Sequence, residues 1–216
     1  MQDHVHHHGA ESHSHPHAPP AKDEKIHSYY QLLGLALKEL LIEKGIVTPA
    51  EIRQAIEFRD SITPAMGAKI VARAWTDPAF KQRLLANGTE TIKEFGLDMG
   101  ATELVVVENT PTVHNMIVCT LCSCYPRAVL GLPPSWYKSR EYRARTVREP
   151  RAVLREFGTE IPDSVELRVH DSTADMRYLV LPMRPAASEH LNTEQLAALV
   201  TRDSMIGVSL VQNPPS

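Results

Sequence analysis

The sequence has no apolar run that approaches the roughly 20 residues needed to cross a bilayer. The N-terminus also lacks the cationic stretch and apolar core that are typical of secretory signals. Both absences argue against an integral membrane protein and a secreted one, so we expect a cytoplasmic protein.

Cysteine is scarce and confined to one place. The chain of 216 residues has three cysteines, all within residues 119–124. A disulfide framework spreads cysteines along the chain to join distant segments, so this clustering excludes one. Neighbouring thiols in a reducing compartment indicate metal or redox chemistry instead.

Strong charge of one sign is also missing, since the net charge is -3 with histidine neutral. A basic run does occur, but glutamates at positions 141, 149 and 156 interleave with it; its arginines are Arg143, Arg145, Arg148, Arg151 and Arg155. Such mixing indicates a subunit interface or a solvated helix face. We therefore expect no nucleic-acid partner and no membrane partner.

Residues 1–25 form a histidine-rich segment that is predicted to be disordered. Seven of the 11 histidines lie here among Pro, Ser, Ala and Gly, with almost nothing apolar to bury. Two interpretations stay open at this point. The segment either collects metal for a site elsewhere or is a solvated tail with incidental affinity for metal ions.

Residues 26–96 are predicted to form a helical arm. Apolar residues keep helical spacing from Ile26 to Leu41, and Thr48-Pro49-Ala50-Glu51 resembles a capping box with proline at the first helical position. Further helices are predicted over 64–75 and from Pro78 to about residue 87. Short helices without a compact repeat suggest packing on a partner chain.

Residues 97–216 are predicted to form a metal-binding α+β domain. Four β-rich stretches cover 103–108, 113–118, 165–169 and 177–181, and helical patterns cover 136–157, with a break at Pro150, and 193–200. The turn Asn109-Thr110-Pro111 between the first two stretches favours a hairpin. We therefore expect a helical arm followed by a layered α/β domain with a mostly antiparallel sheet.

The spacing Cys-x-x-Cys-x-Cys suits one octahedral metal ion. If the backbone curls around the ion, the sulfurs of Cys122 and Cys124 and the deprotonated amide nitrogens of Ser123 and Cys124 form a square plane. Cys119 then reaches an axial position, and one position stays open. Such strong donors suit low-spin Co(III) or Fe(III), whereas zinc prefers a closed tetrahedron. Zinc with His114 as fourth ligand, and three unligated thiols, are the alternatives.

The segment Cys119-Thr120-Leu121-Cys122-Ser123-Cys124 resembles the signature of nitrile hydratase alpha subunits. The similarity extends over most of the chain from about residue 32. It includes residues 68–78, 130–138, 147–151 and 199–208. The resemblance implies a nitrile hydratase alpha-like fold and a hydro-lyase that converts nitriles to amides.

The resemblance also implies roles for individual residues. Cys119, Cys122, Ser123 and Cys124 would hold one metal ion, with Cys122 oxidised to sulfinate and Cys124 to sulfenate as the catalytic pair. Thr120 resembles the cobalt branch, whereas the iron branch usually has serine there. A beta subunit would complete an α/β heterodimer or an α2β2 assembly, and an activator protein could load the metal.

The sequence departs from the family at three places. Arg127 and His170 stand where tryptophan is usual, and residues 98–102 lack a usual glutamine. Arginine after the cysteine segment is similar to thiocyanate hydrolase, a three-subunit cobalt relative, and would favour an anionic substrate. Thiocyanate hydrolase is therefore the alternative enzyme, and a cobalt carrier or sensor is the alternative from another class.

Several polar residues resemble those that surround the metal site in this family, orient its ligands and link the subunits; they are Lys138, Asp171, Asp175, Arg177 and Tyr178. Asp175 replaces what is often glutamate. The simpler interpretation is an ordinary polar face whose ion pairs contribute little. Trp75 and Trp136 are predicted to be packing residues.

Overall fold

The computed structural model describes residues 28–214, so the histidine-rich segment predicted over 1–25 lies outside the described residues. The described chain divides into two compact units, one up to Ile52 and one from Arg53 onward. The domain boundary predicted near residue 96 stays a prediction.

The first unit is dominated by helix α1, Tyr29–Glu43. Ser28 and Gln31 form a reciprocal capping box at its start, and Gly45 follows its end with a φ of 65°. No residue of α1 is buried. Its large apolar side chains are between 41% and 79% exposed: Tyr29, Tyr30, Leu32, Leu33, Leu35, Leu37 and Leu40.

Helix α2, Pro49–Ser61, begins where the sequence predicted a cap. The Glu51 carboxylate accepts hydrogen bonds from the Thr48 backbone N–H (2.7 Å) and hydroxyl (2.8 Å). These bonds lower the pKa of Glu51, the backbone one contributing most. No residue of α2 is buried either.

Three further helices and a short 3-10 turn open the second unit. They are α3 (Pro64–Thr76), α4 (Pro78–Ala86), α5 (Gly88–Thr91) and the 3-10 turn Ile92–Phe95. The Asp77 side chain caps α4 by accepting from the Phe80 N–H at 2.9 Å. The α3 helix buries Ile70 and Val71 completely, which makes it part of the core.

The strands match the predicted positions, but their pairing corrects the prediction. They are β1 (Glu103–Glu108), β2 (Val113–Val118), β3 (Glu166–Asp171) and β4 (Met176–Leu181). The β1 strand pairs with β4 and β2 pairs with β3, and both pairs are parallel. The expected mostly antiparallel sheet is therefore wrong, although the mixture of helices and strands is confirmed.

The pairing differs from the prediction because the turn after β1 forms only one antiparallel bridge, between Thr110 and Val113, and no ladder joins β1 to β2. Asn109 in this turn is 6% exposed, and its side-chain oxygen accepts the backbone N–H of Asn115. The two strands therefore lie in different sheets. Each strand finds its partner across a long crossover, which parallel pairing requires.

The crossover between β2 and β3 is helical. It contains α6 (Arg127–Leu130), a 3-10 turn (Trp136–Lys138), α7 (Arg140–Arg148) and α8 (Pro150–Glu156). After β4 come α9 (Thr193–Leu199), which packs on α3, and α10 (Arg202–Ile206), which contacts β4. Pro150 begins α8, so the predicted break of the 136–157 helix is confirmed.

Among residues 28–214, no helix is long and apolar enough to cross a membrane.

Candidate metal centre

The three cysteines lie on a loop that directly follows β2. Residues 119–124, here called the cysteine loop, lead from the end of this strand toward the start of α6. Cys119 is buried, Cys124 is half-buried and Cys122 is exposed. Leu121 is 85% exposed at the tip. The loop is therefore rooted in the core at one end and open at the other.

The loop brings its three sulfur atoms together. The Sγ atoms of Cys119 and Cys122 are 3.5 Å apart, and those of Cys122 and Cys124 are 3.2 Å apart. All three lie within 4.8 Å of one another. Three converging soft donors fit a single thiophilic ion.

His114 does not join this cluster. Its Nε2 lies 2.8 Å from the Gly207 carbonyl oxygen and its Nδ1 3.3 Å from the Asn109 amide nitrogen. Both ring nitrogens are therefore engaged elsewhere, which removes the fourth ligand that the zinc alternative needs.

Cys122 and Cys124 do not ionise alike. Hydrogen bonds from Cys124 and then Cys119 lower the pKa of Cys122 to about 7. Burial raises the pKa of Cys124, and the adjacent Cys122 and Cys119 raise it further. Because one thiolate suppresses the next, negative charge near neutral pH is favoured at Cys122 over Cys124. A thiolate is the form that binds metal.

Asp171 clamps the start of the cysteine loop. One carboxylate oxygen accepts the Thr120 backbone N–H at 2.9 Å and the other accepts the Thr120 hydroxyl at 2.5 Å. The register of the parallel pair places Asp171 beside Val118, the last residue of β2. The sheet pairing therefore delivers the carboxylate to the loop, and a serine or threonine at position 120 is needed to complete the clamp.

Two residues on the crossover hold carbonyl oxygens of the loop. The Tyr137 hydroxyl donates to the Cys124 oxygen at 2.9 Å, and Nη1 of Arg143 donates to the Cys122 oxygen at 2.7 Å. Neither contact was predicted from the sequence, in which the charge pattern around Arg143 indicated an interface or a solvated helix face. No local pattern carries this information, because it depends on how α7 packs beside the loop.

A cavity of about 550 Å³ opens beside the cysteine loop. Its wall includes Cys122, Ser123 and Cys124. Arginines at 59, 127 and 177 also line it, together with the apolar side chains of Phe58, Ile62, Met99 and Leu132. The cavity therefore combines apolar walls with three arginines and one carboxylate, that of Asp98.

Arg127 lies where sequence analysis looked for it, on the cavity wall. Its side chain is exposed, and among residues 28–214 no carboxylate lies within ion-pair distance of it. The guanidinium of Arg177, unlike that of Arg127, contacts the backbone. It donates to the carbonyl oxygens of Ala174 and Met176, at 3.1 Å each. Its charge lies close enough to oppose the rise in the pKa of Cys124.

The other predicted polar residues are not brought to the cavity. Lys138 and Asp175 are exposed, and neither belongs to the described residues that line it. Tyr178 packs against the ring of His170, with centroids 5.0 Å apart. The predicted packing roles of the tryptophans are confirmed, since both pack against the core.

A polar network joins β2 to the turn before it and to β3, and we call its residues the polar floor: the buried Asn109, His114 and Asn115 and the half-buried His170. Asn109 Oδ1 accepts from Asn115 N (2.8 Å), so its Nδ2 faces His114 Nδ1. Asn115 Nδ2 donates to Asn109 Oδ1 at 2.9 Å, which leaves Asn115 Oδ1 to accept from His170 Nε2 at 2.8 Å. The network therefore requires a neutral His114, whose Nδ1 accepts from Asn109 while its Nε2 donates to Gly207, whereas His170 only donates from its Nε2.

Taken together, the fold and site define an α+β subunit that presents a three-thiol metal loop at the end of a parallel strand. The family model described as nitrile hydratase, alpha chain, matches residues 28–209, and the chain belongs to that family.

Individual relatives agree with this assignment. A low-molecular-weight cobalt-containing nitrile hydratase subunit alpha from Rhodococcus rhodochrous is 55% identical, with 83% of this chain and 87% of the relative covered. A thiocyanate hydrolase subunit gamma from Thiobacillus thioparus is 40% identical, with 85% and 80% covered. The solved Fe-type nitrile hydratase from Comamonas testosteroni Ni1, a double mutant, superposes with a TM-score of 0.77 at 42% identity, with 87% and 95% covered.

Proposed function

We propose that this chain is the metal-bearing alpha subunit of a cobalt nitrile hydratase, which adds water to a nitrile to give the amide. The observation that carries the proposal is the convergence of three sulfurs, two of which (Cys122 and Cys124) line a cavity large enough for a small organic substrate. The family assignment over residues 28–209 supports a catalytic role over a metal carrier or sensor.

Four residues would hold the ion, which we propose is Co(III), with Fe(III) as the alternative. Cys119, Cys122 and Cys124 would give their sulfurs, and Ser123 and Cys124 their backbone nitrogens. Thr120 and the cobalt-containing relative support cobalt. When bound, the ion would supply Lewis acidity toward the nitrile.

The chain's own residues then have distinct tasks. Asp171 and Tyr137 fix the two ends of the cysteine loop, so that the sulfurs keep their places while substrate enters and leaves. Apolar side chains such as Ile62 and Met99 would pack against the uncharged part of the nitrile. Attack by water forms the new C–O bond, and the nitrile nitrogen gains the protons of the amide.

The unequal thiols support unequal oxidation. Cys122 is exposed and Cys124 is half-buried, so the two sulfurs differ in their access to an oxidant. We propose sulfinate at Cys122 and sulfenate at Cys124. Intact peptide mass spectrometry of active enzyme would show two added oxygens and one, and three unmodified thiols in active enzyme would contradict the proposal.

A nitrile hydratase beta subunit is the proposed partner, in an α/β heterodimer or an α2β2 assembly. Helix α1 buries none of its own residues and exposes seven large apolar side chains, which is the composition of an interface. Within the second unit, Leu121 and Leu132 are also exposed, the former on the cysteine loop and the latter on the cavity wall. We propose that the helical arm predicted over 26–96 supplies part of this interface and that an activator protein assists metal loading.

Co-expression tests the function and the partner together. The chain is produced with and without its beta subunit, and the purified products are assayed for cobalt, iron and acrylonitrile hydration. We expect one cobalt per alpha chain in the complex and no appreciable turnover by the chain alone. Stoichiometric iron without cobalt would refute the metal assignment, and full turnover by the isolated chain would refute the need for a partner.

Thiocyanate hydrolase is the second candidate because of one observation. Arg127 lines the same cavity as Cys124 and lacks a carboxylate partner among the described residues, so its charge is available to an anion. Turnover of thiocyanate by the same purified complex decides between the two, since efficient release of ammonia from thiocyanate with negligible nitrile hydration would favour the second candidate.

A further inference from the structure

Arg143 makes an unusual contact for a residue on a helix rich in charge. It lies in α7, and its Nη1 donates to the Cys122 carbonyl oxygen at 2.7 Å. Its Nε is buried and has no acceptor among the described residues. A guanidinium is always charged, so the contact places a partly desolvated cation on the cysteine loop.

The neighbouring arginines of α7 are used differently. Arg145 is paired with Glu149 at 2.7 Å and with Glu156 at 2.5 Å on the surface. Arg148 donates to the Ala144 oxygen of its own helix at 3.2 Å. Arg143 instead donates to a neutral carbonyl oxygen, that of Cys122. This contact is weaker than an ion pair unless the carbonyl oxygen becomes negative.

The Cys122 oxygen does become negative if the adjacent peptide nitrogen binds a metal. This oxygen and the nitrogen of Ser123 belong to the same peptide group, whose electrons are delocalised over O, C and N. A peptide that binds a metal through its nitrogen in place of a proton shares the resulting negative charge with its oxygen. A cation 2.7 Å from that oxygen then forms a charge-assisted bond, which is stronger than the bond to a neutral peptide.

We propose that Arg143 is a positioning residue that favours metals bound through the Ser123 backbone nitrogen over metals bound by thiolates alone. The inference rests on the proposed cobalt site. It makes Arg143 a determinant of which metal the loop retains, acting through the Cys122–Ser123 peptide and without touching the metal or the substrate.

Two probe metals separate this role from a merely structural one. Cobalt is loaded in air into the full chain with its beta subunit, and the cobalt retained after dialysis against a chelator is measured. Zinc, which prefers four tetrahedral ligands and has no need of peptide nitrogens, is titrated into the metal-free full chain. The variants are Arg143→Gln and Arg143→Lys, and Arg148→Gln removes one charge from the same helix as the matched control.

We expect Arg143→Gln to retain about tenfold less cobalt, which is the scale of one lost charge-assisted hydrogen bond. Arg143→Lys should retain about threefold less cobalt, because lysine keeps the charge but lacks the forked guanidinium group. Zinc affinity should stay within about twofold in every variant, and Arg148→Gln should match wild type in both measurements.

Three results would overturn the inference: wild-type cobalt retention in Arg143→Gln, a parallel fall in zinc affinity, or an equal loss in Arg148→Gln. If Arg143→Gln does not fold, as judged by thermal denaturation, Arg143→Lys decides by the same criteria. Wild-type complex that retains no cobalt would instead refute the proposed function, so the two failures are distinguishable.

Discussion

The cysteine loop and the polar floor are both connected to strand β2, yet they are stabilised in opposite ways. The floor is buried except at the half-buried His170, with His114 and Asn115 at 3% and 2% exposed, and its hydrogen bonds leave no donor facing a donor. The loop is exposed at Cys122 and is held at single points by side chains from other elements.

This difference predicts that the polar floor contributes mainly to stability and the cysteine loop mainly to chemistry. A buried network tolerates no unmatched group, because each one loses its hydrogen bonds to water without replacement. An exposed loop returns lost contacts to water at little cost. We therefore expect changes in the floor to unfold the protein and changes around the loop to affect metal and substrate while the fold survives.

The largest effect is expected where the floor meets α10. Gly207 ends that helix with a φ of 88°, and a Cβ there would lie 2.0 Å from the Asn115 carbonyl oxygen. Gly207→Ala should therefore lower the free energy of unfolding by about 3 kcal/mol, from left-handed strain and overpacking together. Denaturant titration of the full chain measures it.

Gly96→Ala is the matched control for this substitution. Gly96 also has a left-handed φ, 70°, but a Cβ there meets nothing within 4 Å. Only the backbone strain applies, so the loss should be about 1 kcal/mol. Equal losses at the two glycines would mean that the close approach to the floor contributes nothing.

The next largest effect tests the loop side of the comparison. Asp171→Ala removes both acceptors of Thr120, so we expect about tenfold less cobalt retained per chain, the scale of hydrogen bonds to a charged group. The melting temperature should change by no more than about 2 °C, because Asp171 is exposed.

Thr120→Val is the milder control for the clamp, since it removes the hydroxyl bond and keeps the backbone one. Its cobalt retention should lie between those of wild type and Asp171→Ala. A large drop in melting temperature for Asp171→Ala, with cobalt retention unchanged, would show that Asp171 contributes to stability, as the polar floor does. That result would contradict the proposed difference between the two regions.

A smaller effect should distinguish the two regions by pH. Burial lowers the pKa of His114 and of His170 below the ordinary 6.5, with Arg151 and Arg168 respectively adding to the effect. The unfolded chain therefore takes up protons first as the pH falls. The stabilisation is complete above about pH 7 and is lost as the pH drops below 6.5 toward the folded values.

We expect the free energy of unfolding to fall between about pH 7.5 and 5.5 as the two histidines gain protons on unfolding, and denaturant titration across that range measures the loss. His114→Gln can still donate to Gly207 and accept from Asn109 but does not titrate, so its acid loss should be shallower. An identical pH dependence in this variant would show that His114 is not responsible.

The same comparison explains how far the sequence predicts the structure. The cysteine loop is local, so its spacing alone indicated one ion held by Cys119, Cys122 and Cys124. Strand positions were also local: β1 and β2 match the predicted ranges. What could not be predicted is which strand pairs with which, because the paired strands are far apart in the sequence and meet only in the folded state.

The contact of Arg143 from α7 could not be predicted for the same reason. Arg143 belongs to a charged run whose composition indicates a solvated face, and its neighbour Arg145 does lie in a surface ion-pair network. Only the crossover geometry brings Arg143 to the Cys122 oxygen. Asp171 was predicted through family resemblance, whereas its clamp on Thr120 follows from the parallel register of β2 and β3.

The smallest effect on the proposed reaction is expected at Arg127, on the cavity wall. Its side chain is exposed and lacks a carboxylate partner among residues 28–214, so Arg127→Trp breaks no ion pair there. For an uncharged nitrile we expect turnover within about tenfold of wild type, or about 1.4 kcal/mol in the activation free energy. For thiocyanate the substitution removes a cation beside the anion and should cost far more.

Turnover of acrylonitrile and of thiocyanate by both proteins measures this, with Arg59→Gln as the control for losing another cavity cation. Efficient thiocyanate hydrolysis that Arg127→Trp abolishes, with negligible nitrile hydration by wild type, would transfer the proposed function to the second candidate and give Arg127 the decisive role in substrate choice.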